Sequence, residues 1–188
     1  MEQKEKFEKI WNEGDYRRGS TAQRLVPFLL EQIPEGCTIN DYGCGTGRAE
    51  IEILQHRPDQ IINMVDIARN ALEFDVLQYK PLSFKVSDLS DLGEDFPKAE
   101  WGICINTLMV VQPEKLDSIL SEIKRTCDNF IFEAYDLNDV RCGMNLTTIA
   151  KNKNGWEEKL KEFWQDVQFH TSKESNRRFI FVCKEKKC

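Results

Sequence analysis

Apolar residues recur along the chain in two rhythms, one helical and one strand-like. Phe7, Ile10 and Trp11 fall on one helical stripe and Leu25, Phe28, Leu29 and Ile33 on another, so helices are expected over 2–12 and 20–33. Gly14 to Gly19 separates them, Ser20 can cap the second, and Pro34-Glu35-Gly36 stops it. From Cys37 onward strands and helices alternate. The pattern predicts strand 37–42, helix 47–56, strand 61–66, helix 68–79, strand 82–87, strand 101–106, helix 113–126, strand 128–134 and helix 155–164. Ile61-Ile62-Asn63-Met64-Val65 and Phe130-Ile131-Phe132 are nearly continuous apolar runs, as befits strands covered on both faces of a mainly parallel sheet.

The end of the chain follows the other rhythm. Asp166 to Ser172 and Arg178 to Lys184 alternate or run apolar and are joined by the polar Lys173-Glu174-Ser175-Asn176-Arg177, which predicts a C-terminal antiparallel hairpin. Tyr135 to Asn154 is the least regular stretch and a candidate substrate loop. The expectation is a single α/β domain over 1–188, doubly wound with helices on both faces. Residues 1–35 are N-terminal helices that could cover a ligand, and 36–188 form the core.

Charge and composition narrow the function. With 26 Lys+Arg against 32 Asp+Glu, the net charge of -6 offers no broad attraction to phosphate backbones, so nucleic acid is not favoured, although a local basic patch would suffice. The charged start Met1 to Lys9 lacks the apolar stretch of a secretory signal, and no apolar run approaches a membrane span. Seven cysteines are scattered without a Cys-x-x-Cys pair and read as reduced thiols, which points to the cytoplasm. The only histidines, His56 and His170, lack ligand spacing, so no metal is expected.

Candidate chemistry gathers at strand ends. The first strand ends in Asp41-Tyr42-Gly43-Cys44-Gly45-Thr46-Gly47 and opens a helix, an arrangement that lets backbone approach a ligand closely. A dinucleotide fingerprint wants its third glycine one position further on, where Arg48 stands, and no Gly-Lys-Ser or Gly-Lys-Thr of a phosphate loop occurs. The second strand ends in Asp66, placed either to accept hydrogen bonds from ribose hydroxyls or to cap the next helix. The third ends in Ser87-Asp88-Leu89, able to read an adenine edge or simply to make a turn.

In this order Asp41 to Gly47, Asp66 and Asp88 resemble motifs one, two and three of the class I S-adenosylmethionine-dependent methyltransferases. Trp101 to Val111 is similar to the fourth strand and following loop of that family, and Ile119 to Arg125 to its next helix. The resemblance covers residues 37 to 134, and the rest fits the family in order of elements. It implies a Rossmann-like, seven-stranded sheet with an antiparallel last strand, S-adenosylmethionine as cofactor and S-adenosylhomocysteine (SAH) as product.

It also implies roles. The loop residues Asp41, Gly43, Cys44, Gly45 and Gly47 would surround the methionine portion, Asp66 the ribose, and Ser87, Asp88 and the Leu89 amide the adenine, sandwiched by Ile67 and Leu89. Carbonyls of Gly43 and Asn106, with Thr107 beside them, would receive the ammonium, and Tyr16 or Arg17 would reach the carboxylate. One departure stands out: the acid that usually follows an aromatic at the start of the fourth strand comes one place early, in Ala99-Glu100-Trp101-Gly102.

No catalytic base is required by such chemistry. Glu133, Tyr135 and Asp136 at the end of the fifth strand are candidates if the acceptor must lose a proton, or ordinary strand-end polar residues. Cys44 lacks a partner base, and Trp156, Phe163 and Trp164 share a stripe with Leu160 that reads as core and rim. Neither Asn-Pro-Pro-Tyr nor Asp-Pro-Pro-Tyr occurs, nor a Pro-Cys pair, which argues against amino methylation of adenine or glutamine and against methylation of cytosine carbon. Asn106-Thr107-Leu108-Met109 in that slot resembles small-molecule methyltransferases. A protein or nucleic-acid acceptor, or a cofactor-binding scaffold for an active partner, are the alternatives, and oligomeric state is open.

Overall fold

Why the central strands are buried throughout follows from their neighbours. In the computed structural model, which describes residues 3–12, 22–73, 75–80, 82–135, 149, 151–172 and 175–185, the seven strands form one sheet in the order β3-β2-β1-β4-β5-β7-β6. They are β1 (Ile39–Tyr42), β2 (Ile62–Asp66), β3 (Leu82–Val86), β4 (Ala99–Ile105), β5 (Cys127–Tyr135), β6 (Asp166–Ser172) and β7 (Ser175–Lys184). β1 lies between β2 and β4, all parallel, and β7 runs antiparallel to both β5 and β6. This is the expected doubly wound sheet with its terminal hairpin.

Alternation assigns the two faces. Val65, Cys104, Phe130, Phe132 and Phe181 pack on one side with α4 (Leu116–Thr126) and α5 (Lys153–Lys161), through Ile119, Leu120, Ile123, Trp156 and Leu160. Phe130 stacks on Trp164 at 5.0 Å and Phe132 meets Trp156 edge-on at 4.7 Å, so both tryptophans belong to the core. On the other side Ile39, Met64, Ile103, Ile131 and Val182 pack with α2 (Val26–Gln32) and α3 (Arg48–His56), through Val26, Leu29, Ala49 and Ile53. Fully burying each such side chain contributes about 1.5–3 kcal/mol.

Several boundaries move. The helix expected over 20–33 begins as a 3-10 turn, Ala22–Leu25, and becomes α-helical only at Val26, where Pro27 in the first turn is tolerated; Ser20 lies outside the described residues. Helix 113–126 likewise opens with a 3-10 turn, Pro113–Lys115. The last helix starts at Lys153, earlier than 155, because Asn152 caps it by accepting from the Gly155 amide at 2.8 Å. β7 starts at Ser175 rather than 178. Of the Tyr135 to Asn154 stretch, residues 136–148 and 150 lie outside the described ones, while Ile149 is buried and its amide donates to the Met109 carbonyl at 3.0 Å.

One prediction fails outright: among the described residues of 68–79 there is no α-helix, only turns and a 3-10 segment, Val76–Gln78. Tertiary contacts override the local periodicity there. Ala68 and Ala71 are drawn against Phe7 and Trp11 of α1 (Gln3–Asn12), the Glu73 amide donates to the Thr46 carbonyl at 3.1 Å, and Arg48 pairs with Glu73 at 2.5 Å. The early acid of the fourth strand also finds its reason. Glu100 points out of the sheet and accepts from the Thr38 amide at 2.7 Å and hydroxyl at 3.0 Å, fixing β4 against β1 with Trp101 beside Ile39. No helix among the described residues is long and apolar enough to cross a membrane.

Candidate ligand site at the carboxyl ends of the strands

The sheet order reverses between β1 and β4, and a crevice outside the carboxyl ends of the strands is expected at such a point. The loop after β1 occupies it. Its Gly43 and Cys44 amides both donate to the Val65 carbonyl, at 2.8 and 3.2 Å, so the loop hangs from the end of β2. Gly43, with φ of 86°, admits no side chain: a Cβ there would lie 2.3 Å from the Thr107 hydroxyl oxygen. Gly47, with φ of 76°, caps α3, and a Cβ there would lie 2.9 Å from Leu72; one on Gly45 would lie 3.1 Å from the Trp11 ring.

Asp66 ties this loop to the next. Its Oδ2 accepts from the Gly45 amide at 3.0 Å and its Oδ1 from the Ala68 amide at 2.9 Å, with only 7% of the residue exposed. Burial pushes its carboxyl up to about 6, against the pull of those amides. A carboxylate has about four acceptor positions, more than these amides fill, so capacity remains for a hydroxyl donor. Since no helix follows, the cap reading takes the form of a strut between two turns.

Asp41 lies beneath the loop rather than beside the crevice. It is 3% exposed and faces Glu50 of α3, itself fully buried, and burial together with Glu50 and Asp66 holds its carboxyl well above the usual range. Burial likewise raises Glu50, against the pull of its interaction with Asp41. Cys44 is buried beside these acids and its thiol is pushed far up, first by burial, which removes any nucleophilic character.

Beyond Asp66 a cleft of about 470 Å³ is lined by Gln3, Lys4, Ile67, Val86, Ser87, Asp88, Gln112 and Lys115. Ile67, Ser87 and Asp88 are therefore brought together as the sequence predicted, but Leu89 turns into the core with Leu92 and Leu116. The expected sandwich is corrected accordingly: Ile67 borders the cleft and Leu89 does not. Asp88 is already engaged, its Oδ1 accepting from the Ser90 amide and hydroxyl at 2.9 and 2.8 Å and its Oδ2 from Lys115 Nζ at 2.6 Å. Burial opposes its ionisation, yet Lys115 and Ser90 hold its carboxyl below the ordinary value.

At the end of β4, Asn106 takes a left-handed conformation, φ 59°, which asparagine tolerates, and its amide donates to the Glu133 carbonyl at 3.3 Å. The Thr107 hydroxyl lies 3.3 Å from the Gly43 carbonyl. Glu133, a candidate base, is fully buried and bound by Arg24, with Arg178 Nη1 at 3.9 Å. That leaves it poorly placed to collect a proton from an acceptor. Tyr135 sits under the Arg178 guanidinium at 4.5 Å, and Tyr16, Arg17 and Asp136 lie outside the described residues.

The N-terminal helix α1 lies over this edge. Gln3 donates to the Val110 carbonyl at 3.1 Å, Asn70 donates to the Glu8 carbonyl and to Asn12, both at 2.8 Å, and Phe7 and Trp11 close on Ala68 and Ala71. Sequence reasoning missed Trp11, Glu50, Lys115, Arg24 and Arg178 as site residues. Trp11 carried a signal in its helical stripe; the others acquire meaning only through partners far away in the chain.

No protein-family model matches the chain. A magnesium-protoporphyrin O-methyltransferase of Rhodobacter capsulatus is 28% identical over 127 residues, 62% of this chain, which spans about half (53%) of that relative's length. Among solved structures, a 1,6-didemethyltoxoflavin-N1-methyltransferase from Burkholderia thailandensis, with bound 1,6-didemethyltoxoflavin and S-adenosylhomocysteine, superposes with a TM-score of 0.74 at 15% identity. That match covers 97% of this chain and 87% of that one. A magnesium protoporphyrin IX methyltransferase from Synechocystis with bound SAH gives 0.62 at 16% identity, covering 90% and 84%. The small RNA methyltransferase HEN1 gives 0.70 at 13%, covering 87% of this chain and 25% of that one. The fold they share with this chain is one architecture.

Proposed function

We propose that this chain, whose fold is that of the class I S-adenosylmethionine-dependent methyltransferases, binds S-adenosylmethionine and passes its methyl group to a small-molecule acceptor. The observation that carries the reading is the join of the Asp66 strut to the cleft of Ile67, Ser87 and Asp88, at the sheet edge where the glycine loop and Asn106 converge. Residues on either side of that join fit an adenosine. Asp66 has acceptor capacity left for a ribose hydroxyl, Ile67 offers an apolar wall for a base, and Ser87 and Asp88 offer polar atoms for its edge.

In this reading Gly43, Gly45, Asn106 and Thr107 present backbone to the methionine portion, while Asp41, Cys44, Gly47 and Leu89 act from beneath by shaping the loop and its support. S-adenosylmethionine supplies a methyl group on a sulfonium, a leaving group good enough that alignment of the acceptor provides much of the acceleration. The chain's own work is then to hold, orient and exclude water, with α1 as the cover. A net charge of -6 and the small molecules named for two of the structural neighbours favour a small acceptor over RNA.

Titrating the purified protein with S-adenosylmethionine, SAH and NAD tests the cofactor reading. SAH is expected to bind in the micromolar range or tighter, and a preference for NAD would sink it. Labelled methyl transfer into fractionated extract then separates an enzyme, which labels a low-mass fraction, from a scaffold, which labels none.

A further inference from the structure

A second cluster of charge lies along the same sheet edge, outside the cleft. β5 and β7 pair with Glu133 opposite Ile180 and Tyr135 opposite Arg178. Two residues apart on β7, Ile180 and Arg178 share a face, and Ile180 lies in the core that α2 covers. Glu133 stands on that face too, two residues on from Ile131, and Arg24, in the turn that leads into α2, binds it there. Glu133 thus already has an ion-pair partner.

Arg178 is therefore the residue in need of an explanation. It is 8% exposed, its Nη1 is 3.9 Å from the Glu133 oxygen that Arg24 engages, and that buried Nη1 has no hydrogen-bond partner among the described residues. Its guanidinium carbon lies over the Tyr135 ring, 4.5 Å from the ring centre. Burying a guanidinium without completing its hydrogen bonds is costly, whereas a planar fork held on an aromatic platform is ready for a planar anion.

Position points to whose anion it is. From β1 to β7 is three strand spacings, about 14 Å at the usual separation. A carboxylate held by the loop after β1 stays short of Arg178. A molecule lying beyond β4, against the end of β5, does not, and the Asn106 amide joins β4 to Glu133 there.

We propose that Arg178, backed by Tyr135 and steadied by Glu133, is an acceptor-binding residue that takes a carboxylate of the methyl acceptor. This rests on the methyltransferase reading and gives its substrate a chemical class. The test uses benzoate and its neutral counterpart benzamide as probes, titrated into the protein with and without SAH and followed calorimetrically. Benzoate is expected to bind at least about tenfold more tightly than benzamide, the scale of a charge-assisted pair, and Arg178→Met to erase that preference. SAH affinity should stay within about twofold and the melting temperature close to wild type.

Equal binding of benzoate and benzamide by the wild-type protein would overturn the proposal without any variant. Arg178→Lys, which keeps the charge and loses the fork, should retain only part of the preference. If Arg178→Met weakens SAH by tenfold or more yet leaves 5′-methylthioadenosine unchanged, the arginine holds the cofactor's own carboxylate and the acceptor assignment falls. Failure of the wild type to bind SAH at all would remove the methyltransferase reading, while benzoate selectivity without SAH would still report the anion site.

Discussion

Replacing Asp66 by asparagine separates its two duties. The carboxylate is buried, and its folded value of about 6 stands against 3.8 in a solvated chain, so ionising it costs the folded state about 3 kcal/mol at about 1.4 kcal/mol per unit. The folded form binds the proton more readily than the unfolded one. Stability from this group is therefore greatest below pH 3.8 and falls as pH rises toward 6. Asp66→Asn removes the buried charge but also turns one amide acceptor into a donor facing an N–H, a loss of about 1–3 kcal/mol. The ligand-free variant should thus melt at or slightly above wild type at pH 7, and the advantage should disappear near pH 4, where the wild-type carboxyl is itself protonated. Cofactor binding should move the other way, because hydrogen bonds from ribose hydroxyls to a charged acceptor are worth about 1.5–3 kcal/mol. That is a rise of about 10- to 100-fold in the Kd of SAH. Differential scanning calorimetry and isothermal titration at the two pH values measure both halves. An Asp66→Asn protein that melts several degrees lower at pH 7 and binds SAH unchanged would refute the reasoning and leave Asp66 as a strut alone.

Gly43→Ala meets both a left-handed backbone and the Thr107 hydroxyl, and should destabilise by about 2–4 kcal/mol; Thr107→Ala in the same chain should restore part of the lost melting temperature. Arg24→Met removes an ion-pair partner of the fully buried Glu133, so urea unfolding should show a loss on the order of 3 kcal/mol, and adding Glu133→Gln should recover much of it. No recovery would mean that Arg24 acts through packing. Lys115→Ala frees one oxygen of Asp88 and removes a cation that holds its carboxyl down, so the acid limb of the pH profile for SAH binding should move to higher pH. An unmoved profile would show that Asp88 does not meet the ligand.

What could be read in the sequence was whatever depends on neighbours in the chain. β2 and the glycine loop carry their own evidence, since an apolar run ending in Asp66 and a glycine at every second position from Gly43 to Gly47 constrain the backbone locally. The failed helix over 68–79 marks the limit. Its alanines and Val76 have helical spacing, but the segment is held instead by Asp66 at one end, by Arg48 and Thr46 through Glu73, and by the rings of α1 above. All but the Asp66 contact come from distant parts of the chain, and none alters the hydrophobic period.

The same reasoning explains why Ile67 borders the cleft while Leu89 does not, and why the cluster of Arg24, Glu133 and Arg178 was not foreseen. Ile67 and Leu89 occupy equivalent places after their strands, but the turn that Asp88 makes with Ser90 swings Leu89 under the sheet, and the Lys115 that steadies Asp88 comes from the entry to α4, 27 residues on. Arg24, Glu133 and Arg178 come from three separate parts of the chain, the first pair 109 residues apart, and no spacing rule links them. Glu133 was open to two readings, a base or an ordinary strand-end acid, because a lone acid at a strand end shows no partner in the sequence. In the folded chain it is bound by Arg24, and it is the Arg178 Nη1, 3.9 Å away and without a hydrogen bond among the described residues, for which we propose a ligand.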